Sequence, residues 1–287
     1  MISLDVATVL LQWAVGGLFF LWVTTRRRLV GVGYGWLLRS VYGVLAVGGF
    51  AAGRAGDGVP VRDAAAAGVI VAAVAALAVS IVRRKAGVAG EHDRRAAVAA
   101  TDRIPDSLKG YEAPDPVTRQ RKEFAPALDL VAPIVGVVGL VAAGVAAGGN
   151  DTLAVARTVV GSLFLGAVSD AMLLGHWYLV QPGLPRASLH ELNRYVAIVW
   201  PFEVALLLLP TGMLSVLSGT IDDGYGGMLG WFWVACAITT LVLCFVTKAA
   251  LKERAYSAVM AATGLLYLAI LTAFGTDLVA RALLAQG

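Results

Sequence analysis

The sequence predicts an all-α integral membrane protein, a polytopic bundle of about eight transmembrane helices with both termini on the outer side. Three observations carry this. Hydrophobic residues fill 59% of the 287 positions and charged residues only 15%, against roughly 25% charged in a soluble domain. The mean hydropathy of +0.77 is more apolar surface than a soluble chain of this length can hide. Finally, 18 of the 23 Lys and Arg residues fall in alternate connections between apolar runs, which is how loops that stay in the cytoplasm are marked.

The first span, 4–25, reads "LDVATVLLQWAVGGLFFLWVTT" and is followed by Arg26, Arg27 and Arg28. Its apolar run exceeds ~18 residues and the arginines come after it, so it reads as a membrane helix rather than a cleavable signal. Spans two and three cover 30–53 and 62–82, the latter stopped by Arg83, Arg84 and Lys85. A polar loop, 86–125, follows. Its first part has the composition of a short surface helix, and "YEAPDPVTRQRKEF" reads as extended linker. The loop divides the chain into 1–85 with three helices and 126–287 with five. It is a connector between the two membrane parts or a docking segment for another subunit.

Spans four to eight are expected at 126–148, 153–181, 191–218, 228–247 and 255–283, each at least the ~20 residues that cross the hydrocarbon core. Arg186 and Arg194 flank the turn before span six; Lys248, Lys252 and Arg254 precede span eight. The opposite connections, "GGND" and "TIDDGYGG", are small or acidic, so the basic loops face the cytoplasm of a bacterium. Small residues in "AAAAGVIVAAVAALA" and "VVGLVAAGVAAGG" allow close helix approach, which predicts that spans three and four lie in the interior. No residue pattern repeats between the halves, which counts against a repeat-built transporter.

Some functions are excluded or disfavoured. The net charge of +4 belongs to membrane topology and gives no nucleic-acid-binding face. Cys236 and Cys244 are eight residues apart, ~12 Å along a helix, too far for a disulfide. They are expected as buried unpaired thiols. No metal-ligand spacing is present.

Ionisable residues inside spans carry the functional reading, because a charge at the bilayer centre costs at least ~2.5–3.5 kcal/mol. Arg157 and Asp277 fall near outer span ends and are expected to be structural, by snorkelling and by pairing with Arg281. Counting ~1.5 Å per residue puts Asp170 about 17 Å and His176 about 9 Å from the inner surface, Glu203 about 18 Å, and Arg39 about 13 Å. Asp129 starts span four and Tyr178 lies in the same inner layer. Arg39, Asp129, Asp170, His176, Tyr178 and Glu203 are therefore expected to form one polar layer, with Asp170 and Glu203 at one depth on adjacent helices.

Such a layer would bind a quinone headgroup or pass protons in a subunit of an electron-transfer or other energy-converting complex. The same residues would serve a proton-coupled secondary transporter. A membrane anchor or assembly scaffold, held to lipids and to partner subunits through loop 86–125, is the third reading. His176 stays open between a structural hydrogen bond, a proton or quinone-carbonyl donor, and the lone ligand of a b-type haem. Bis-histidine ligation is disfavoured, because His92 is in the loop and His190 is at the surface.

Overall fold

The computed structural model describes residues 4–56, 58–99, 122–181, 183–253 and 255–285. Every regular element among them is helical. The helices are α1 (Val6–Thr25), α2 (Val32–Ala55), α3 (Pro60–Val82), α4 (Ala89–Ala99), α5 (Val131–Ala146), α6 (Asp151–Val180), α7 (Ala187–Leu208), α8 (Gly212–Leu217), α9 (Met228–Ala250) and α10 (Tyr256–Leu284). A 3₁₀ turn, Pro126–Leu130, leads into α5. Seven of the eight long helices are long and apolar enough to cross a membrane. The eighth, α7, has the length but carries Glu191, Arg194 and Glu203. The chain is an all-helical polytopic membrane bundle. The expected surface helix in the 86–125 loop is α4, and residues 100–121 of that loop lie outside the described residues.

Local chemistry sets the helix ends. Asp5 caps α1 by accepting the backbone N–H groups of Ala7 and Thr8 at 3.2 and 3.1 Å, which satisfies donors that no turn of helix supplies. Pro60 opens α3, where a missing N–H is harmless. Between α5 and α6 the chain reverses through Gly148 and Gly149, both at positive φ (73° and 78°), a conformation other residues adopt at a cost. Asn150 then caps α6 by accepting from the Leu153 N–H at 3.0 Å.

Two groups of four long helices build the bundle. Helices α2, α3 and α5 surround α1; helices α7, α9 and α10 attach to or beside α6. The groups meet where α1 crosses α6 and where α5 packs beside α6. Phe164 through Ala171 of α6 are buried without interruption, as in a helix enclosed on all sides. The expectation that spans three and four form the interior is therefore corrected. On α3 the small residues Ala65, Ala66, Val69 and Ala73 pack inward, but Val71 and Val74 are exposed. On α5, Ile134 and Val138 are likewise exposed. Small residues give such helices one close-packing face, and their Val and Ile positions face lipid.

The α1–α6 contact is backbone on backbone. A Cβ on Gly16 would lie 1.8 Å from the Ser162 carbonyl oxygen, and one on Gly166 would lie 2.2 Å from the Gly16 carbonyl carbon. The Ser162 hydroxyl donates to the Gln12 carbonyl at 2.8 Å, and Trp13 Nε1 donates to the Ser169 hydroxyl at 2.8 Å. Close approach of this kind is what glycine supplies in membrane helices.

The expected sixth span, 191–218, is in fact broken. Helix α7 starts at Ala187, carries Pro201 inside, and ends at Leu208. Pro210 has no N–H to continue it, and the short α8 resumes at Gly212. The following loop is ordered by Asp223, whose carboxylate accepts the N–H groups of Tyr225, Gly227 and Leu229 at 2.8–2.9 Å. Burial alone would push the Asp223 carboxyl up. The backbone donors, with Gly230 as a fourth, outweigh that and hold it below its ordinary value.

Two outcomes follow from these contacts. Gly16→Leu drives a side chain into the Ser162 backbone and should cost about 3 kcal/mol or more, read as a lowered Tm in detergent. Gly264→Ala, where a Cβ meets nothing within 4 Å, should be neutral or stabilising; equal losses in both variants would refute the contact argument. For Asp223 the folded carboxyl is the stronger acid, so its stabilisation is present above the unfolded carboxylate range and is lost as pH falls through the folded value. Amide protection factors at Tyr225–Leu229, taken against the intrinsic exchange rate, should drop selectively below the ordinary carboxylate range and should be low at every pH in Asp223→Ala.

Candidate functional site

Six residues are expected to form a single polar layer, and the structure distributes them over five places. Arg39 of α2 and Asp129 of the 3₁₀ turn do meet. Arg39 Nε donates to Asp129 Oδ1 at 2.8 Å and Arg39 Nη2 to Oδ2 at 2.9 Å, the two-pronged geometry that a guanidinium and a carboxylate share. Thr25 of α1 donates its hydroxyl to Oδ2 at 2.9 Å, and the Phe124 ring lies 4.3 Å from the guanidinium carbon. The pair is sealed, with side chains 2% and 1% exposed. Arg39 Nη1 alone has no partner. Beside the pair is a cavity of about 40 Å³ lined by Thr25, Arg28, Gly35, Arg39 and Glu123 among others. That holds about three or four waters at roughly 10–15 Å³ each and is far below the ~300 Å³ of a small-molecule pocket.

Asp170 sits elsewhere, in the α1–α2–α6 interface. The Tyr42 ring lies against Gly17, where a Cβ would come 2.1 Å from its Cζ, and its hydroxyl donates to Asp170 Oδ1 in a short hydrogen bond. Asp170 is fully buried, and its Oδ2 has no partner. Tyr34 completes a buried stripe with Leu38 and Tyr42 on α2, and its hydroxyl is also without a partner. No hydrogen bond joins this group to Arg39 and Asp129.

His176 is corrected out of the layer. Six residues at 100° each turn it 120° away from Asp170 on the same helix, and it lies exposed, with Nδ1 3.4 Å from the Tyr267 hydroxyl. Tyr178 is buried, but its hydroxyl donates to the Pro185 carbonyl at 2.7 Å. Its neighbours do similar work. Gln181 Oε1 accepts from the Gly31 N–H and from Trp177 Nε1, both at 3.0 Å. Trp177, Tyr178 and Gln181 thus close the α6–α7 turn and pin the start of α2.

Glu203 is also corrected: it does not meet Asp170. Because α7 begins at Ala187 rather than near Glu191, Glu203 lies ~24 Å along it, towards the end of the bundle where α1 starts and α10 finishes. There it is buried against Asp277 and Arg281 of α10 and Arg157 of α6. Asp277 and Arg281 pair at 2.8 Å across one turn of helix. Arg157 Nε donates to the Leu206 carbonyl at 2.9 Å, the oxygen whose helical donor Pro210 lacks, and its Nη2 donates to the Leu209 carbonyl. From α1, Gln12 donates to the Thr158 carbonyl at 2.6 Å. A Cβ on Gly161 would lie 2.9 Å from Asp277 Oδ1, 3.0 Å from Gln12 Nε2 and 3.1 Å from Arg281 Nη2, so these three groups converge there.

This second cluster is what reasoning from spans missed. Arg157, Asp277 and Arg281 are 5%, 0% and 1% exposed, neither snorkelling nor at a surface. The expected Asp277–Arg281 pair does form; the signal left unused was Pro210, which ends a helix beside an acid. Both Glu203 oxygens, Asp277 Oδ1, Gln12 Oε1 and Arg281 Nη2 have no hydrogen-bond partner. Among the described residues no group of three or more His, Cys, Asp or Glu side chains is arranged to hold a metal.

No family model, curated protein or solved structure matches the chain.

The Arg39–Asp129 pair should behave as a structural pin. Arg39→Gln leaves a buried, unpaired carboxylate and should cost about 3–5 kcal/mol, whereas Arg39→Gln with Asp129→Asn should recover most of it. Asp170→Asn keeps an acceptor for Tyr42 and should cost about 1 kcal/mol or less. Thermal unfolding of the four proteins in one detergent decides it. An Asp170→Asn loss as large as that of Arg39→Gln would sink the distinction.

Proposed function

We propose that this chain is a proton-handling membrane subunit of an energy-converting assembly in the bacterial cytoplasmic membrane, with its basic loops inside. Asp170 and the Glu203–Asp277 pair are the groups that take up and release the proton. One observation carries the reading. Asp129 has both oxygens satisfied by Arg39 and Thr25, as a permanently charged structural acid should. Asp170, Glu203 and Asp277 are as deeply buried yet leave Oδ2, both Oε atoms and Oδ1 without donors. An ionised carboxylate with bare oxygens in hydrocarbon is very costly, and a proton on the carboxyl removes most of that cost.

Between the two expected uses of the polar residues, proton transfer is favoured over quinone binding. At Arg39, the expected quinone-contacting residue with a cavity beside it, that cavity offers about 40 Å³, too little for a headgroup. A proton-coupled transporter is the second reading, favoured by the break after Leu208 next to a buried acid pair, since interrupted helices carry ion and substrate sites in such proteins.

The test is proton flux into proteoliposomes carrying an internal pH dye under an imposed potassium diffusion potential. The wild-type protein should pass protons well above protein-free vesicles, and Glu203→Gln should reduce the rate by about tenfold or more. Wild-type vesicles as tight as empty ones would overturn the reading. Flux that appears only with a solute gradient would move it to the transporter.

A further inference from the structure

A groove of about 350 Å³ lies between α1, α5 and α6 within the membrane-spanning part of the bundle. Its floor is Val15, Gly16 and Phe19 of α1, and its walls include Ile134 and Val137 of α5 and Leu163 of α6. The shape follows from the chain path. Helices α5 and α6 touch tightly at their shared turn, where a Cβ on Gly144 would lie 2.7 Å from the Val155 Cα. They diverge towards the other end and leave α1 uncovered between them.

The lining tells what fits. Ser162 is the one hydroxyl in it, and that hydroxyl is already spent on the Gln12 carbonyl. A headgroup would find no donor inside, so the occupant's buried part is a hydrocarbon chain. The α1 residues then lead out of the groove in one direction. Phe19, Trp22 and Arg26 follow Val15 at spacings of four, three and four, one face of a helix. The contacts agree: the Phe19 and Trp22 rings are 5.9 Å apart, and the Arg26 guanidinium carbon is 5.1 Å from the Trp22 ring centre. Arg26 and Arg27 both pair with the single acid Glu191, at 2.6 and 2.8 Å. Two partly exposed cations sharing one carboxylate leave a net positive charge at the groove's mouth.

We propose that this groove is a binding site for one anionic phospholipid, drawn from the leaflet beside the basic loops. One acyl chain lies on Gly16 and Phe19, and the phosphate sits at Arg26 and Arg27. The site is independent of the proton-handling reading, since none of its residues belongs to either polar cluster.

Native mass spectrometry of the full chain, stripped of lipid and titrated with phosphatidylglycerol or phosphatidylcholine, tests it. Wild type should bind one phosphatidylglycerol with about fivefold preference over phosphatidylcholine, the expected effect of one net charge near the surface. Val137→Trp, at a lipid-exposed wall position, should fill the groove and abolish binding of both lipids. Arg26→Gln with Arg27→Gln changes only surface side chains and should remove the preference while keeping chain binding. Unchanged binding in Val137→Trp overturns the site, as does the absence of any saturable lipid in wild type. An unchanged headgroup preference in the double arginine variant overturns the assignment of the phosphate.

Discussion

A carboxylate in hydrocarbon must find a donor for each oxygen or hold a proton, and much of this bundle is arranged by how each acid meets that demand. Asp129 meets it fully, with Arg39 and Thr25, and in doing so ties α1, α2 and the entrance to α5 at the basic-loop end. At the opposite end Asp63 and Asp5 share Arg62, which joins the starts of α1 and α3. These acids are structural ties. Asp277 and Asp170 each have one oxygen met, by Arg281 and by Tyr42, and Glu203 has no donor at all. The difference separates acids that tie helices together from the acids we propose exchange a proton.

The α1–α6 crossing determines how far those groups can communicate. The backbones are in contact at Gly16, Ser162 and Gly166, with Phe164, Leu165 and Val168 packed around them. Asp170 with Tyr42 lies on one side of this contact, and Gln12, Asp277 and Glu203 on the other. No water fits between backbones at that distance, so the two sets of acids are served from opposite ends of the bundle. Any proton movement between them requires the helices to part, and the contact joins the two four-helix groups, the natural place for such a movement.

The architecture was legible because its signals are long. Spans of twenty apolar residues survive errors of several positions, and α1, α2, α3, α9 and α10 begin and end within a few residues of expectation. The polar layer was not, because site geometry depends on single-residue phase. A four-residue error at the start of α7 moves Glu203 by about 6 Å, and neglect of the 100° step brought His176 to a face it does not occupy. Burial failed for a related reason. Small residues mark a close-packing face, not an enclosed helix, so the Ala-rich α3 lies outside while α6, with Phe164, Leu165 and Asp170, is enclosed. At the second cluster the pairing of Asp277 with Arg281 was legible from its i,i+4 spacing, and the missing donor at Pro210 is a further local rule that needs no depth estimate.

Arg157 connects the helix break to the acids. Its Nε serves the Leu206 carbonyl, whose helical donor Pro210 lacks, and one Nη serves the Leu209 carbonyl just past the helix end, so that side chain stabilises the interruption of α7 in the membrane. Yet Arg157 is also a neighbour of Glu203, which has no donor of its own. With a proton shared between Glu203 and Asp277, Arg281 suffices for the remaining charge and Arg157 is free to cap the break. Without that proton there are two carboxylates for one dedicated arginine, and Arg157 cannot satisfy both the carbonyls and the second acid. On the proposed reading, the protonation state of the pair and the geometry of the break are therefore coupled through Arg157.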